Sequence, residues 1–206
     1  MTRARKREYA DAVSANSPEE KTATLPVSAG DGGAAHLTGR SLPALALPSP
    51  HGEFIRLDRL NEKAVIFIFP MIGRPGDPLP PGWDDIPGAR GCTPEACAFR
   101  DVWHHFQVRG VQVVGVSTQH VLELRDASSR LHLPYQLLSD ARGHARRALS
   151  LPMFRVGSQT FLKRLTLVIE GGVITRTFYP VLRAGVHPYE VLDYLRKRER
   201  STLDRS

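Results

Sequence analysis

Cys92 and Cys97 are the only two cysteines among 206 residues, and five positions separate them. A thiolate attacks weak O–O and S–S bonds, and two nearby thiols can close a disulfide. Two cysteines are too few for a disulfide-stapled scaffold or a four-thiolate zinc module. The spacing also differs from the C-x-x-C of thioredoxin-type dithiols. His104 and His105 follow Cys97 with no third ligand in the pattern, so they read as an exposed or rim pair and no metal site is expected. A cysteine can equally be a small buried hydrophobe, so the pair's setting in the chain has to decide.

That setting is a loop running into a helix. Residues 70–91 hold six Pro and five Gly in 22 positions, which excludes a helix or a central strand. From Cys92 the pattern turns helical, with Ala96, Phe99, Trp103 and Phe106 on one stripe. A cysteine at a helix start faces unpaired N–H groups and the positive end of the helix dipole. Both favour the thiolate and predict a lowered thiol pKa. On an intact helix five residues span roughly 7.5 Å of axial rise. A disulfide needs Cα atoms within about 7 Å. A disulfide between the two would therefore require the first turns to unwind.

The surrounding elements alternate. Leu42–Pro48 and His51–Leu57 read as two short strands, with a helical turn at Leu57–Leu60. Ala64–Phe69, the longest apolar run, reads as a central strand buried on both faces. Val111–Val116 is a further strand, Val121–Leu131 an amphipathic helix, and Tyr135–Leu138 a short strand. A helix follows from Ser139-Asp140 to Leu149. Leu165–Ile169 and Val173–Phe178 form a hairpin around Gly171-Gly172, and His187–Arg198 is a last helix. Strands alternating with helices and closed by a hairpin mean a single α/β domain with a central mixed β-sheet flanked by helices.

Residues 1–36 are linker-like and expected to be a disordered tail, 37–198 the folded domain, and 199–206 a basic C-terminal tail. The formal charge of +7 divides into zero over 1–36, +3 over 196–206 and +4 between, with no dense basic stripe. Nucleic acid is therefore not an expected partner. No apolar run is long enough to span a membrane, and no apolar segment follows the basic N-terminus. A cytoplasmic protein is expected, in which thiols stay reduced unless chemistry oxidises them.

Gly91-Cys-Thr-Pro-Glu-Ala-Cys-Ala-Phe-Arg-Asp101 resembles the active-site segment of the atypical two-cysteine peroxiredoxins of the Q type, the bacterioferritin comigratory protein-like group of the thioredoxin-like superfamily. Leu137-Leu-Ser-Asp140 looks like that family's Leu-Ser-Asp segment, and Lys163-Arg164-Leu-Thr-Leu-Val-Ile169 like its arginine-bearing strand. The resemblance covers about 37–196. It implies a thioredoxin-like fold and a thiol-dependent peroxidase of hydrogen peroxide or organic hydroperoxides. In it Cys92 would be peroxidatic, Cys97 resolving, and Arg164 would hold the thiolate and polarise the peroxide. It further implies recycling by thioredoxin or glutaredoxin, no cofactor, and a monomer or homodimer.

Two departures stand out. The family's Pro-x-x-x-Thr-x-x-Cys puts a hydroxyl three residues before the nucleophile, and here that residue is Ala89 and the proline position is Asp85. The loop before Cys92 is also longer than usual, making Trp83, Asp84, Asp85 and Arg90 candidate substitutes. The missing threonine motivates an alternative function, a redox-sensing or thiol-disulfide exchange module. A non-catalytic interaction domain on the same scaffold is a third reading.

Overall fold

The computed structural model describes residues 33–203, with side chains to Ser201. The proposed tail 1–36 lies outside them except for its last four residues, of which Ala34 is buried against the core. The last helix runs to Leu203, past the domain boundary expected at 198.

Two short antiparallel strands, β1 (Ala46–Pro48) and β2 (Phe54–Arg56), open the fold, followed by a 3-10 turn at Leu57–Arg59. The central sheet comprises β3 (Lys63–Ile68), β4 (Val111–Ser117), β5 (Gln136–Ser139), β8 (Leu165–Glu170) and β9 (Val173–Phe178), in the order β5-β4-β3-β8-β9. The β3–β4 and β4–β5 pairs are parallel, and the β3–β8 and β8–β9 pairs antiparallel, so the sheet is mixed as expected. Between β5 and β8 lies a separate hairpin, β6 (Met153–Val156) and β7 (Gln159–Leu162). The helices are α1 (Cys92–Gln107), α2 (Val121–Arg130), α3 (His144–Leu149) and α4 (His187–Leu203).

The period of two along β3 divides the core. Ile66 and Ile68 face Leu47, Leu57, Val114, Val116 and Leu167, while Val65, Phe67 and Phe69 face α1, α2 and α4. Phe67 stacks on Phe99 of α1 with ring centroids 4.4 Å apart, which seats the cysteine-bearing helix on the sheet. Gly115 makes room for that ring, because a Cβ there would lie 2.7 Å from Phe67 Cζ and 2.5 Å from Leu137 Cδ2.

Two local expectations change. The helix after β5 starts at His144, not at Ser139-Asp140. Asp140 stays outside and accepts the N–H groups of Ala145 and Arg146, at 2.9 and 2.8 Å, capping the helix from a distance. The β6–β7 hairpin was not foreseen. Its Phe154 and Phe161 pack with Trp83 and Ala89 into a third apolar cluster that anchors the long loop. Among the described residues no helix is long and apolar enough to cross a membrane.

Candidate active site

Cys92 is the first residue of α1, and the preceding Gly91 sets its direction. Gly91 sits at φ +100°, and a Cβ on it would fall 2.8 Å from Ala184 Cβ, so the turn into the helix requires glycine. Pro94, in the first turn, lacks an N–H that the helix would not have used. Glu95 makes the first helical bond, from its N–H to the Gly91 carbonyl at 2.9 Å.

Cys92 is 3% exposed. Arg164, which immediately precedes β8, places Nη2 3.0 Å from Sγ. The backbone N–H of Met71, just beyond β3, points at the same sulfur from 3.4 Å, and the thiol donates to the Ala89 carbonyl at 3.6 Å. Arg164 does more than face the sulfur. Its Nη1 donates to Glu95 Oε2 in a fully buried ion pair, and its Nη2 also bonds the Gly88 and Arg90 carbonyls at 3.2 and 3.0 Å. One guanidinium thus ties the loop, the nucleophile and the first helical turn together. Among the described residues Arg164 Nε and Glu95 Oε1 are buried without a protein partner, leaving hydrogen-bonding capacity at the site.

The electrostatics correct one expectation. The Cys92 pKa is raised, not lowered. Complete burial pushes the thiol up, Arg164 and the Met71 N–H pull it back, and the Glu95 charge pushes it up again. Glu95, read from sequence as a first-turn acid in a tolerant position, is buried, and desolvation raises its pKa to about 7 against the pull of Arg164. As pH rises through about 7, Glu95 becomes a second anion on the one guanidinium and opposes ionisation of Cys92. Glu95→Gln keeps an acceptor for Arg164 and removes that charge. The Cys92 titration, followed by thiolate ultraviolet absorbance, is expected to move to lower pH by up to about one unit. A move to higher pH would contradict this arrangement.

Cys97 lies on the same unbroken helix, half-buried, and both cysteines are free thiols. The structure brings Cys92 and Arg164 into contact and places Cys97 about 1.4 turns further along α1. None of the loop side chains proposed as substitutes for the missing threonine touches the sulfur among the contacts of the described residues. Trp83 is in the apolar cluster, Asp84 pairs with Arg90 at the surface, and Asp85 is exposed. What the loop supplies is backbone, through the carbonyls of Gly88, Ala89 and Arg90. Ala89 itself is buried against Trp83 and Phe161, which explains an apolar side chain there. His104 and His105 are both exposed, and no cluster of three metal-ligating side chains occurs among the described residues.

A buried cysteine at a helix start, in contact with an arginine that leads into β8 of a mixed sheet of this order, defines a thiol enzyme of the thioredoxin-like fold. Residues 38–177 match the family model described as AhpC/TSA, and the chain belongs to that family. Over 161 residues it is 31% identical to a peroxiredoxin bcp of Coxiella burnetii, covering 76% of this chain and 97% of that one. A chloroplastic peroxiredoxin Q of Suaeda salsa is 28% identical over 158 residues, and the chain spans 66% of its length. Peroxidoxin BcpB from Mycobacterium tuberculosis superposes with a TM-score of 0.62 at 25% identity, over 78% of this chain and 96% of that one. A mutant PrxQ from Xylella fastidiosa, at 20% identity and a TM-score of 0.64 over 79% of this chain and 96% of that one, shares the fold.

Proposed function

We propose that the chain is a peroxidase in which Cys92 is the peroxidatic thiol, Cys97 the resolving thiol and Arg164 the charge that holds both thiolate and peroxide. The observation that carries this reading is the 3.0 Å contact between Arg164 Nη2 and the buried Cys92 sulfur. The thiolate attacks the outer oxygen of ROOH, the O–O bond breaks, and the leaving RO⁻ takes a proton to become an alcohol or water. Cys92 is left as a sulfenic acid. Arg164 stabilises negative charge as it passes from sulfur to oxygen. Cys97 then displaces water from the sulfenic acid, and an external dithiol of the thioredoxin or glutaredoxin class reduces the disulfide, as in a reducing compartment such as the cytoplasm.

The exchange-module alternative is disfavoured by burial. With Cys92 3% exposed, a small hydroperoxide can approach it, whereas a protein disulfide cannot while α1 is intact. The reading is tested by competition between hydroperoxide and a protein disulfide for the reduced enzyme. Faster oxidation by the hydroperoxide is expected, and preferential exchange with the disulfide would reverse the assignment.

A further inference from the structure

Helix α1 is held to the rest of the protein by two different devices that meet beside Cys97. Ahead of Ala96, the side-chain bonds of the first turn run to Arg164, through Cys92 Sγ and Glu95 Oε2, and from Cys92 Sγ also to the Met71 N–H and the Ala89 carbonyl. From Ala96 onward the anchors lie on the segment leading into β5. The Tyr135 hydroxyl donates to the Ala96 carbonyl at 2.6 Å, and Arg100 Nη1 donates to the Leu131 carbonyl at 2.8 Å. Tyr135 is itself fixed, 7% exposed and edge-on to Phe67 with centroids 5.5 Å apart.

We propose that Tyr135 is a positioning residue for the resolving step: its hydroxyl pins α1 at Ala96, so that only the turn carrying Cys92 opens while Cys97 stays in place to receive it. This rests on the assignment of Cys92 and Cys97 as the reacting pair.

The two anchors respond differently to oxidation. The Arg164 hold on Cys92 depends on thiolate charge, which a sulfenic acid lacks, so reaction with peroxide weakens it. The Tyr135–Ala96 bond contains no ionised group and does not change with the state of Cys92. Burial raises the Tyr135 pKa well above its ordinary value, so the hydroxyl remains a donor. The Arg164–Glu95 ion pair does not involve the Cys92 sulfur either, so opening is confined to Cys92–Pro94. Cys97 stays next to the pinned Ala96 carbonyl. The Cys97 thiolate then attacks the sulfenic sulfur, the S–S bond forms, the S–O bond breaks, and hydroxide leaves as water after taking one proton. No other reactant is needed.

Tyr135→Phe removes the hydroxyl and keeps the ring. In rapid-mixing experiments on the full chain, formation of the Cys92 sulfenic acid is expected to match wild type. Disulfide closure is expected to slow by about three- to tenfold. With excess peroxide, the fraction of Cys92 trapped as sulfinic acid should rise in step. Closure at the wild-type rate or faster overturns the proposal. So does equal slowing of both steps, which would mark a structural role only. If neither protein forms a sulfenic acid at Cys92, the peroxidase assignment itself fails, a result distinguishable from the other two.

Discussion

Cys92→Ser is expected to reduce hydroperoxide consumption to background while leaving the fold in place. The serine hydroxyl is nearly isosteric with the thiol and finds the same neighbours, the Ala89 carbonyl, the Met71 N–H and Arg164. The stability change is accordingly expected to be about 1 kcal/mol or less, read from denaturant unfolding. Chemistry does not survive the exchange, because an alcohol is far harder to ionise than a thiol and its oxygen does not attack the O–O bond. Cys97→Ser should behave differently, completing the first oxidation and failing at resolution. Residual turnover in Cys92→Ser equal to that of wild type would move the reaction elsewhere in the molecule.

Arg164→Gln is expected to lower the rate of Cys92 oxidation by about 100-fold or more, the range seen when a charge-stabilising donor is removed from an active site. It should also destabilise the protein by about 3 kcal/mol, because Glu95 is left buried without its cation. These two losses have separate origins and can be separated. In the double variant Arg164→Gln/Glu95→Gln no charge is stranded, so stability is expected to recover in large part while the oxidation rate stays low. Recovery of both together would mean that Arg164 acts only as a structural tie. The second possibility has a physical basis, since the same guanidinium also gathers the carbonyls of Gly88 and Arg90.

The sheet was legible because its strands are written in apolar runs. Ala64–Phe69 has no polar interruption and Leu165–Ile169 only Thr166, and such runs fit strands covered on both faces. The β6–β7 hairpin was not, since each strand has four residues and its exposed positions carry Met153, Arg155 and Gln159. The alternation of Phe154 and Val156 before Gly157-Ser158 was the available signal. Of the site, the cysteine pair and Arg164 could be named from the motif. Glu95 was missed as a partner although it stands three residues after Cys92, the spacing that shares a helix face. Nothing in a sequence shows that the salt bridge facing it will be buried. The Met71 N–H was beyond reach for a different reason, because backbone donors carry no residue code. The lowered thiol pKa expected from the helix start is not found, because burial is the largest influence and raises it against the pull of Arg164 and the Met71 N–H.

The central claim is that Cys92 takes the peroxide oxygen and Cys97 removes it. Intact-mass measurement after one equivalent of hydroperoxide tests it most directly, on reduced wild type, Cys92→Ser and Cys97→Ser. Wild type is expected to lose two hydrogens, with the disulfide mapped to Cys92–Cys97. Cys97→Ser is expected to gain one oxygen on Cys92, and Cys92→Ser to remain unchanged. An oxygen gained on Cys97 in Cys92→Ser at the wild-type rate, or wild type left at its reduced mass, would contradict the account.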